Sequence, residues 1–167
     1  EKNLGKGDSL RTGFKHAKGK LIITMDADGS HQPEDLPYLI SPILKGDADA
    51  VFGSRFVNGK GKDTTSKLHL FGNAILNFVI LLLTGKQVSD SQSGFRAFTR
   101  DILKKITLTS SRYEIESEML IKILDRKFRF IEIPINCKKR MSGSTKINSF
   151  SDGFKILKAI LKAKFCS

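Results

Sequence analysis

Residues 21–34 read LIITMDADGSHQPE, a short apolar run followed at once by two aspartates two positions apart. The apolar run predicts a buried strand that delivers Asp26 and Asp28 to its carboxyl end, where open α/β sheets place ligands. In extended chain, residues i and i+2 point to the same side, so the two carboxylates repel each other unless a cation lies between them. A hard divalent ion, which takes oxygen ligands and bridges carboxylate to phosphate, suits such a pair. Taken alone, the pair also fits a solvated acidic turn before a helix.

The segments after this stretch repeat a strand–helix–strand rhythm. Pro33 suits the first turn of a helix whose inner face includes Leu36 and Leu39, and residues 48–53 form a second apolar strand. This rhythm predicts an α/β fold with a mostly parallel central sheet flanked by helices. Arg55 then reaches the same sheet edge as the aspartates, where its planar guanidinium suits phosphate recognition. A surface arginine in a loop is the alternative.

The first segment carries two glycines around a lysine. Residues 5–7 predict a flexible turn, followed by a helix that Asp8 or Ser9 caps and Gly19 ends. A helix N-terminus with a lysine beside it is a plausible anion site, and an ordinary glycine-rich turn is the alternative.

The middle of the chain holds its most apolar helix, between Leu68 and Leu83. The uninterrupted apolar part after Asn77 is shorter than the roughly 20 residues that span a bilayer, so the pattern indicates a core helix or one in a membrane interface. Residues 87–98 then predict a polar turn that contains Asp90 and leads into a short aromatic strand. Asp90 is either a site carboxylate or a turn former.

The last third predicts helices over residues 101–106 and 113–127 and a strand near the sheet edge over residues 128–135, which contains Pro134. A basic loop follows over residues 137–146, of a kind that can order around phosphate groups. The final helix, residues 150–165, has a lysine-rich polar face, which fits an anionic membrane surface and packing on the core equally well.

The composition indicates an anionic partner. The chain has 167 residues, 29 basic against 17 acidic side chains, a net charge of +12 and 40% hydrophobic residues, enough for one domain with a real core. Nucleic acid, a phosphorylated substrate or acidic lipid would each match the charge, and the lack of regularly spaced stacking aromatics argues against nucleic acid. Cys137 and Cys166 match no metal spacing and are expected to be free thiols.

Taken in order, these motifs resemble the family two glycosyltransferases, specifically the branch that transfers hexoses to dolichyl or polyprenyl phosphate. The matching pieces are residues 5–7, residues 26–28 with His31 and 33–34, residues 53–55, residues 90–98, residues 116–118, residues 132–134, and Arg140 with residues 143–146.

The resemblance implies a nucleotide-diphospho-sugar transferase fold of the GT-A type and an inverting, metal-dependent transfer of mannose or glucose to a polyprenyl phosphate. Its implied partners are a nucleotide sugar of the GDP-mannose or UDP-glucose class, Mg²⁺ or Mn²⁺, the lipid phosphate and the cytoplasmic face of a membrane. The implied metal ligands are Asp26 and Asp28, which with Asp90 form the expected catalytic set. The expected donor-diphosphate residues are Lys6, Gly7, Asp26, Ala27 and Asp28, and the expected acceptor-phosphate residues are Ser54, Arg55, Arg140, Ser144 and Lys146.

The sequence also departs from this family. Ser30 stands where the related mannosyltransferases have a glutamine, and His69 lies near the position of an acceptor-phosphate arginine. The strands that bind base and ribose at the start of family members have no counterpart, so we expect a catalytic domain over residues 1–147 that lacks its N-terminal strands, with a basic amphipathic helix over residues 148–167. An inactive truncated transferase and a basic membrane-binding module are the alternatives.

Overall fold

The structure, a computed structural model, describes residues 5–57, 65–138 and 149–166. Helices and strands alternate along the chain much as the pattern predicts. They are α1 (Lys6–His16), β1 (Leu21–Thr24), a 3₁₀ turn (Pro33–Asp35), α2 (Leu36–Leu44), β2 (Ala50–Ser54), α3 (Lys67–Thr84), β3 (Arg96–Thr99), α4 (Arg100–Lys105), α5 (Glu114–Asp125), β4 (Phe130–Pro134) and α6 (Ser149–Phe165).

The described strands form one mixed sheet in the order β1-β3-β2-β4. Strand β3 is antiparallel to both neighbours, whereas β2 and β4 are parallel. This pairing corrects the expectation of a mostly parallel sheet, although β1, β2 and β4 do run in the same direction. Their carboxyl ends therefore meet at one edge, which we call the carboxyl edge.

The direction of β3 follows from where the chain enters it. The segment before β3 lies at the carboxyl edge, where the Gly53 N–H donates to the Phe95 carbonyl at 2.8 Å and the Thr24 hydroxyl donates to the Gly94 carbonyl at 2.9 Å. A strand that begins at this edge must run away from it, so β3 is antiparallel to its neighbours and its first residues join the site.

Two apolar clusters cover the two faces of the sheet. All five residues of β2 are buried, and because successive side chains point to opposite faces, Phe52 packs in one cluster and Val51 in the other. The Phe52 cluster includes Ile80 of α3 and Ile123 of α5, and the Val51 cluster includes Leu39 of α2.

Helix α5 is buried more completely than an amphipathic pattern predicts. The expected inward residues are buried, but so are Glu116, Ser117 and Glu118. Glu118 accepts the backbone N–H groups of Thr109 at 2.9 Å and Ser110 at 2.8 Å. Burial raises the pKa of Glu118, but these hydrogen bonds outweigh burial and lower it.

Helix α6 packs on the core. Ile156, Ile160 and Ala163 are buried in the same cluster as Phe52, while Phe154 and Phe165 are exposed. The apolar face of this helix is therefore used in packing, at least in part. The proposed boundary between residues 147 and 148 stays a prediction.

Helix α3 is only partly covered. Leu76 and Ile80 are buried, whereas Phe71, Phe78 and Leu82 are 67%, 59% and 69% exposed. Within the described residues this 18-residue helix, with a mean hydropathy of 1.6, meets the length and composition needed to cross a membrane. Core helices of soluble proteins also meet that criterion.

Helix α1 starts and ends earlier than expected. It begins at Lys6, with Gly5 at φ 110° before it and no side-chain cap, so Asp8 lies inside the first turn rather than capping it. The helix ends at His16, where the Ala17 N–H donates to the Gly13 carbonyl, and Gly19 is not its terminator. Lys6 thus sits on a fixed helical turn instead of a flexible loop.

The two glycines of α1 predict opposite stability effects. A Cβ on Gly7 would lie 2.7 Å from the Ser111 carbonyl carbon and also clash with the Ser110 carbonyl, whereas a Cβ on Gly13 meets nothing within 4 Å. We expect Gly7→Ala to lower the free energy of unfolding by about 2 kcal/mol. Gly13→Ala should raise it by about 0.5–1 kcal/mol, because alanine is the better helix former. Urea unfolding followed by circular dichroism measures both, and equal effects of the two variants would contradict this packing.

Candidate active site

Five segments meet at the carboxyl edge. Residues 26–31 follow β1, Ser54 and Arg55 lie at the end of β2, residues 90–95 precede β3, and the first turns of α1 and α5 supply Lys6 and Glu116. The structure thus brings together four segments that the sequence predicts at a common site, and adds α5.

The Asp26 carboxylate forms an ion pair with Lys6. The Lys6 Nζ atom lies 2.6 Å from Asp26 Oδ1 and also 2.6 Å from Glu116 Oε1. Burial lowers the pKa of Lys6, but the two carboxylates, Glu116 first, outweigh burial and raise it. Lys6 therefore remains an ammonium group at neutral pH, fixed between two negative charges.

Asp28 is held by a short turn. Its Oδ1 atom accepts the Ser30 N–H at 3.0 Å and the Ser30 hydroxyl at 2.5 Å, a local side chain-to-backbone pattern that stabilises turns. Ser30 therefore orients the second aspartate of the pair.

His31 accepts a hydrogen bond from the backbone of Asp26, a role that the sequence did not predict. The ring is buried, stacks on Phe95 with centroids 5.2 Å apart, and accepts the Asp26 N–H at Nδ1 at 3.2 Å. Burial lowers the pKa of His31, with Arg55 adding to the effect against the opposing Asp26 carboxylate. His31 lies five residues after Asp26, in the same stretch as the aspartate pair, and this proximity is the signal in the sequence that could have singled it out.

Arg55 and Asp90 form a bidentate ion pair. Arg55 donates Nε to Asp90 Oδ2 at 2.6 Å and a terminal nitrogen to Oδ1 at 2.8 Å, and its backbone N–H also reaches Oδ2 at 3.1 Å. The Asp90 side chain is fully buried. In this arrangement Asp90 positions Arg55. A direct role of Asp90 in catalysis, and of Arg55 in phosphate binding, stays a prediction.

Glu132 of β4 fixes the Asp90 segment. Its carboxylate accepts the Ser89 N–H at 2.7 Å, the Ser89 hydroxyl at 2.9 Å and the Asp90 N–H at 3.0 Å. Asn73 and Asn77 of α3 donate to the Ser89 carbonyl from the other side. The segment is therefore tied to both β4 and α3.

The other predicted residues have varied environments. Ser54 is buried, with its hydroxyl 2.6 Å from the Ser89 hydroxyl, and it accepts the Phe56 N–H at 3.1 Å, so in this structure it shapes the turn that carries Arg55. Ala27 is exposed, and Gly7 is buried against Ser110. Arg140, Ser144 and Lys146 lie outside the described residues.

The buried Arg96 also went unpredicted. It donates to the carbonyls of Ser91 at 3.0 Å, Ser93 at 2.7 Å and Glu116 at 2.7 Å, and its guanidinium carbon lies 4.0 Å from the centre of the Phe52 ring. Burial lowers its pKa to about 10. Arg96 still carries its charge at neutral pH and joins the turn before β3 to the start of α5.

The carboxylate oxygens here suit a hard divalent cation whose remaining ligands come from substrate and water. Asp26 and Asp28 offer carboxylate oxygens, and the described residues contain no group of three or more His, Cys, Asp or Glu side chains placed for a metal. Mg²⁺ is commonly bound by one or two carboxylates together with substrate phosphates and water, and this pair matches that pattern.

A groove of about 420 Å³ opens beside Arg55, between α2 and the end of β4. Its walls are mainly apolar, and the buried Asp35 in its lining accepts the Asn136 N–H at 2.6 Å. The groove is contiguous with the site through Arg55.

The fold, a mixed sheet with helices on both faces and its charged side chains at the carboxyl edge, is the fold of solved GT-A type glycosyltransferases. Glucosyl-3-phosphoglycerate synthase from Mycobacterium tuberculosis, solved with Mn²⁺, uridine diphosphate and phosphoglyceric acid, superposes with a TM-score of 0.75 at 17% identity over 96% of this chain and 54% of that one. A second structure of that enzyme, with Mn²⁺, uridine diphosphate and glucosyl-3-phosphoglycerate, has a TM-score of 0.73 at 19% identity and covers 96% and 55%.

Residues 1–107 match the model of glycosyl transferase family 2, and the chain belongs to that family. The predicted family and the GT-A type of fold are confirmed, with a mixed sheet in place of the expected mostly parallel one.

Archaeal proteins are among its relatives. An uncharacterised protein of Methanocaldococcus jannaschii is 37% identical, covering 97% of this chain and 69% of the relative. UDP-N-acetylglucosamine–dolichyl-phosphate N-acetylglucosaminyltransferase of Methanococcus voltae is 36% identical, covering 98% and 67%. Glycosyltransferase AglJ of Haloferax volcanii is 31% identical, covering 89% and 49%. The chain thus spans between about half and two thirds of these proteins.

His31 predicts a specific pH dependence of stability. The ordinary imidazole pKa is 6.5 and the folded value is lower, so the unfolded state binds more protons between these two values. The His31 contribution is therefore complete above about pH 6.5 and is lost as the pH falls through the folded pKa. We expect wild type to lose more stability between pH 7.5 and pH 5 than His31→Asn, whose side-chain oxygen can replace Nδ1 as acceptor. Urea titrations at both pH values test this, with His16→Asn as a control at an exposed ring. Equal losses in wild type and His31→Asn would contradict it.

Proposed function

We propose that this chain forms part of an inverting, metal-dependent glycosyltransferase that moves a hexose from a nucleotide sugar to a polyprenyl or dolichyl phosphate. The observation that carries the proposal is the pair Asp26 and Asp28 at the carboxyl end of β1, beside Lys6 and Arg55, in a family two fold. The name of the M. voltae relative supports a lipid-phosphate acceptor. Mannose and glucose are the sugars expected from the sequence, and the M. voltae name adds N-acetylglucosamine to the donors to be tested.

On the donor side, Asp26 and Asp28 would hold Mg²⁺ or Mn²⁺. When bound, such a cation supplies charge neutralisation to the leaving nucleoside diphosphate. Lys6, fixed on the first turn of α1, places a second positive charge beside the same carboxylate. His31 and Ser30 hold the two aspartates in position, so the donor site is preorganised by hydrogen bonds that are already made.

On the acceptor side, the chemistry needs positioning more than proton removal. A lipid monophosphate already carries its second negative charge near neutral pH, because that pKa is about 6. Arg55, aligned by Asp90, is suited to orient the phosphate, and Arg140, Ser144 and Lys146 are the further expected contacts. Catalysis would then rest on proximity and charge stabilisation.

We further propose that the protein works at the cytoplasmic face of a membrane. Support comes from exposed apolar side chains, because such groups on a surface mark contacts with a membrane or another molecule rather than with water. They are Phe71, Phe78 and Leu82 of α3 and Phe154 and Phe165 of α6. Lysines on α6 match the negative charge of acidic lipids.

The transferase proposal predicts activity that depends on Asp28. The full-length product of the gene is expressed, then incubated with Mn²⁺, dolichyl phosphate and labelled GDP-mannose, UDP-glucose or UDP-N-acetylglucosamine. We expect labelled lipid with one of these donors and a loss of about 10²–10³-fold in Asp28→Asn, the range seen when one electrostatic contact to the transition state is removed.

Asp101→Asn is the matched control, since that carboxylate is exposed and pairs with Lys104 away from the site. Full activity of Asp28→Asn would refute the metal role of this pair. No transfer with any donor, in a folded protein that still binds lipid vesicles, would favour the inactive membrane-binding module instead.

The membrane proposal predicts binding to vesicles that contain phosphatidylglycerol. We expect Phe71→Ser/Phe78→Ser to weaken this binding at least about tenfold, because two aromatic side chains no longer leave water. Sedimentation with the vesicles measures the bound fraction. Tyr38→Ser is the control, since Tyr38 is also 67% exposed but lies on α2. Equal binding by all three proteins would remove α3 from the membrane contact.

A further inference from the structure

Lys6 occupies the place of a counter-ion at the aspartate pair. Its ammonium lies 2.6 Å from Asp26 Oδ1 and 2.6 Å from Glu116 Oε1, and its side chain is 26% exposed. The Glu116 side chain is only 5% exposed, so this carboxylate depends on neighbouring positive charge. Lys6 therefore serves two anions, one deep in the protein and one that faces the expected donor site.

The packing around this ion pair holds it together. A Cβ on Gly94 would lie 2.8 Å from Asp26 Oδ2 and 2.9 Å from the Lys6 ammonium, so the backbone at this glycine closes over the pair. Lys6 is also anchored by its place in the first turn of α1, and Glu116 by the first turn of α5. The ion pairs thus join α1, α5 and the segment after β1 beneath the backbone of Gly94, and they are not a chance contact between surface side chains.

We propose that Lys6 competes with the divalent cation for Asp26, so that the protein alone binds the cation weakly and binds it well once a diphosphate is present. This inference rests on the proposed function. The ammonium and the metal ion both need the Asp26 carboxylate, and they repel each other. The oxygens of a nucleoside diphosphate offer Lys6 another anionic partner, which frees Asp26 for the cation. Metal and diphosphate then strengthen each other's binding, and by linkage the effect is the same in both directions.

A simpler role for Lys6 gives a different result. If Lys6 only binds donor phosphate, its removal weakens diphosphate binding and leaves the affinity for the metal alone unchanged. If Lys6 competes for Asp26, its removal makes the metal alone bind more tightly. A gain of affinity is also an outcome that a damaged fold does not produce.

The experiment titrates Mn²⁺ into the protein at constant pH and ionic strength and follows free Mn²⁺ by electron paramagnetic resonance, without and with UDP or GDP. We expect Lys6→Met to bind Mn²⁺ alone about tenfold more tightly than wild type, which corresponds to about 1.4 kcal/mol. The enhancement of Mn²⁺ binding by the nucleotide should shrink in the same variant. Lys15→Met, which removes an exposed lysine from the same helix, should change either value less than about twofold.

Glu116→Gln provides a test of opposite sign. It removes the other partner of Lys6 and leaves the ammonium entirely to Asp26, so Mn²⁺ alone should bind more weakly than to wild type. In Lys6→Met/Glu116→Gln no ammonium competes for Asp26, so the affinity for Mn²⁺ should again exceed the wild-type value.

Unchanged or weaker Mn²⁺ binding by Lys6→Met overturns the inference. If Lys6→Met gives that result while Asp28→Asn abolishes Mn²⁺ binding, the metal site is supported and only the competition is wrong. If no variant binds Mn²⁺ with or without nucleotide, the metal role of Asp26 and Asp28 fails along with it.

Discussion

The buried guanidinium of Arg96 is the contact on which the site depends. At the first residue of β3, it binds the carbonyls of Ser91 and Ser93 in the turn before it and the carbonyl of Glu116 in α5. Carbonyls inside a protein need donors, and a charged donor makes stronger hydrogen bonds than a neutral one. Arg96 therefore fixes how the turn that carries Asp90 lies against the helix that carries Glu116, with the Phe52 ring beneath it.

The antiparallel direction of β3 brings the segment that Arg96 holds to the carboxyl edge, where the candidate site lies. If β3 were parallel to β1 and β2, its amino end would lie at the opposite edge and Asp90 would be far from Arg55. Because β3 starts at the carboxyl edge, Asp90 can pair with Arg55 and Gly94 can lie against Asp26. The reversal of one strand thus joins two motifs that are 64 residues apart, counted from Asp26 to Asp90.

The sequence was sufficient to predict the parts that depend on local pattern. Apolar runs located the strands, and the residue types that follow them placed Asp26, Asp28 and Arg55 at one edge. It did not predict the direction of β3, because alternation of side chains is the same in both directions. Nor did it predict the roles of Glu116 and Arg96, since their partners are contributed by distant segments and a charged residue in a helix or strand is normally exposed.

Among the described side chains, charge at the carboxyl edge runs against the charge of the chain. The protein carries a net +12, yet Lys6 is paired with Asp26 and Glu116, and Arg55 with Asp90. Carboxylates outnumber basic groups among the described side chains here, which are Asp26, Asp28, Asp90, Glu116 and Glu132 against Lys6, Arg55 and Arg96. Lys6 and Arg55, the two described basic residues among those predicted to bind phosphate, are therefore already engaged. A diphosphate gains little from Lys6 unless it brings a cation that takes over Asp26, and this favours a diphosphate that arrives together with a divalent ion. The excess positive charge on the rest of the chain remains available to attract anionic lipid or substrate from a distance.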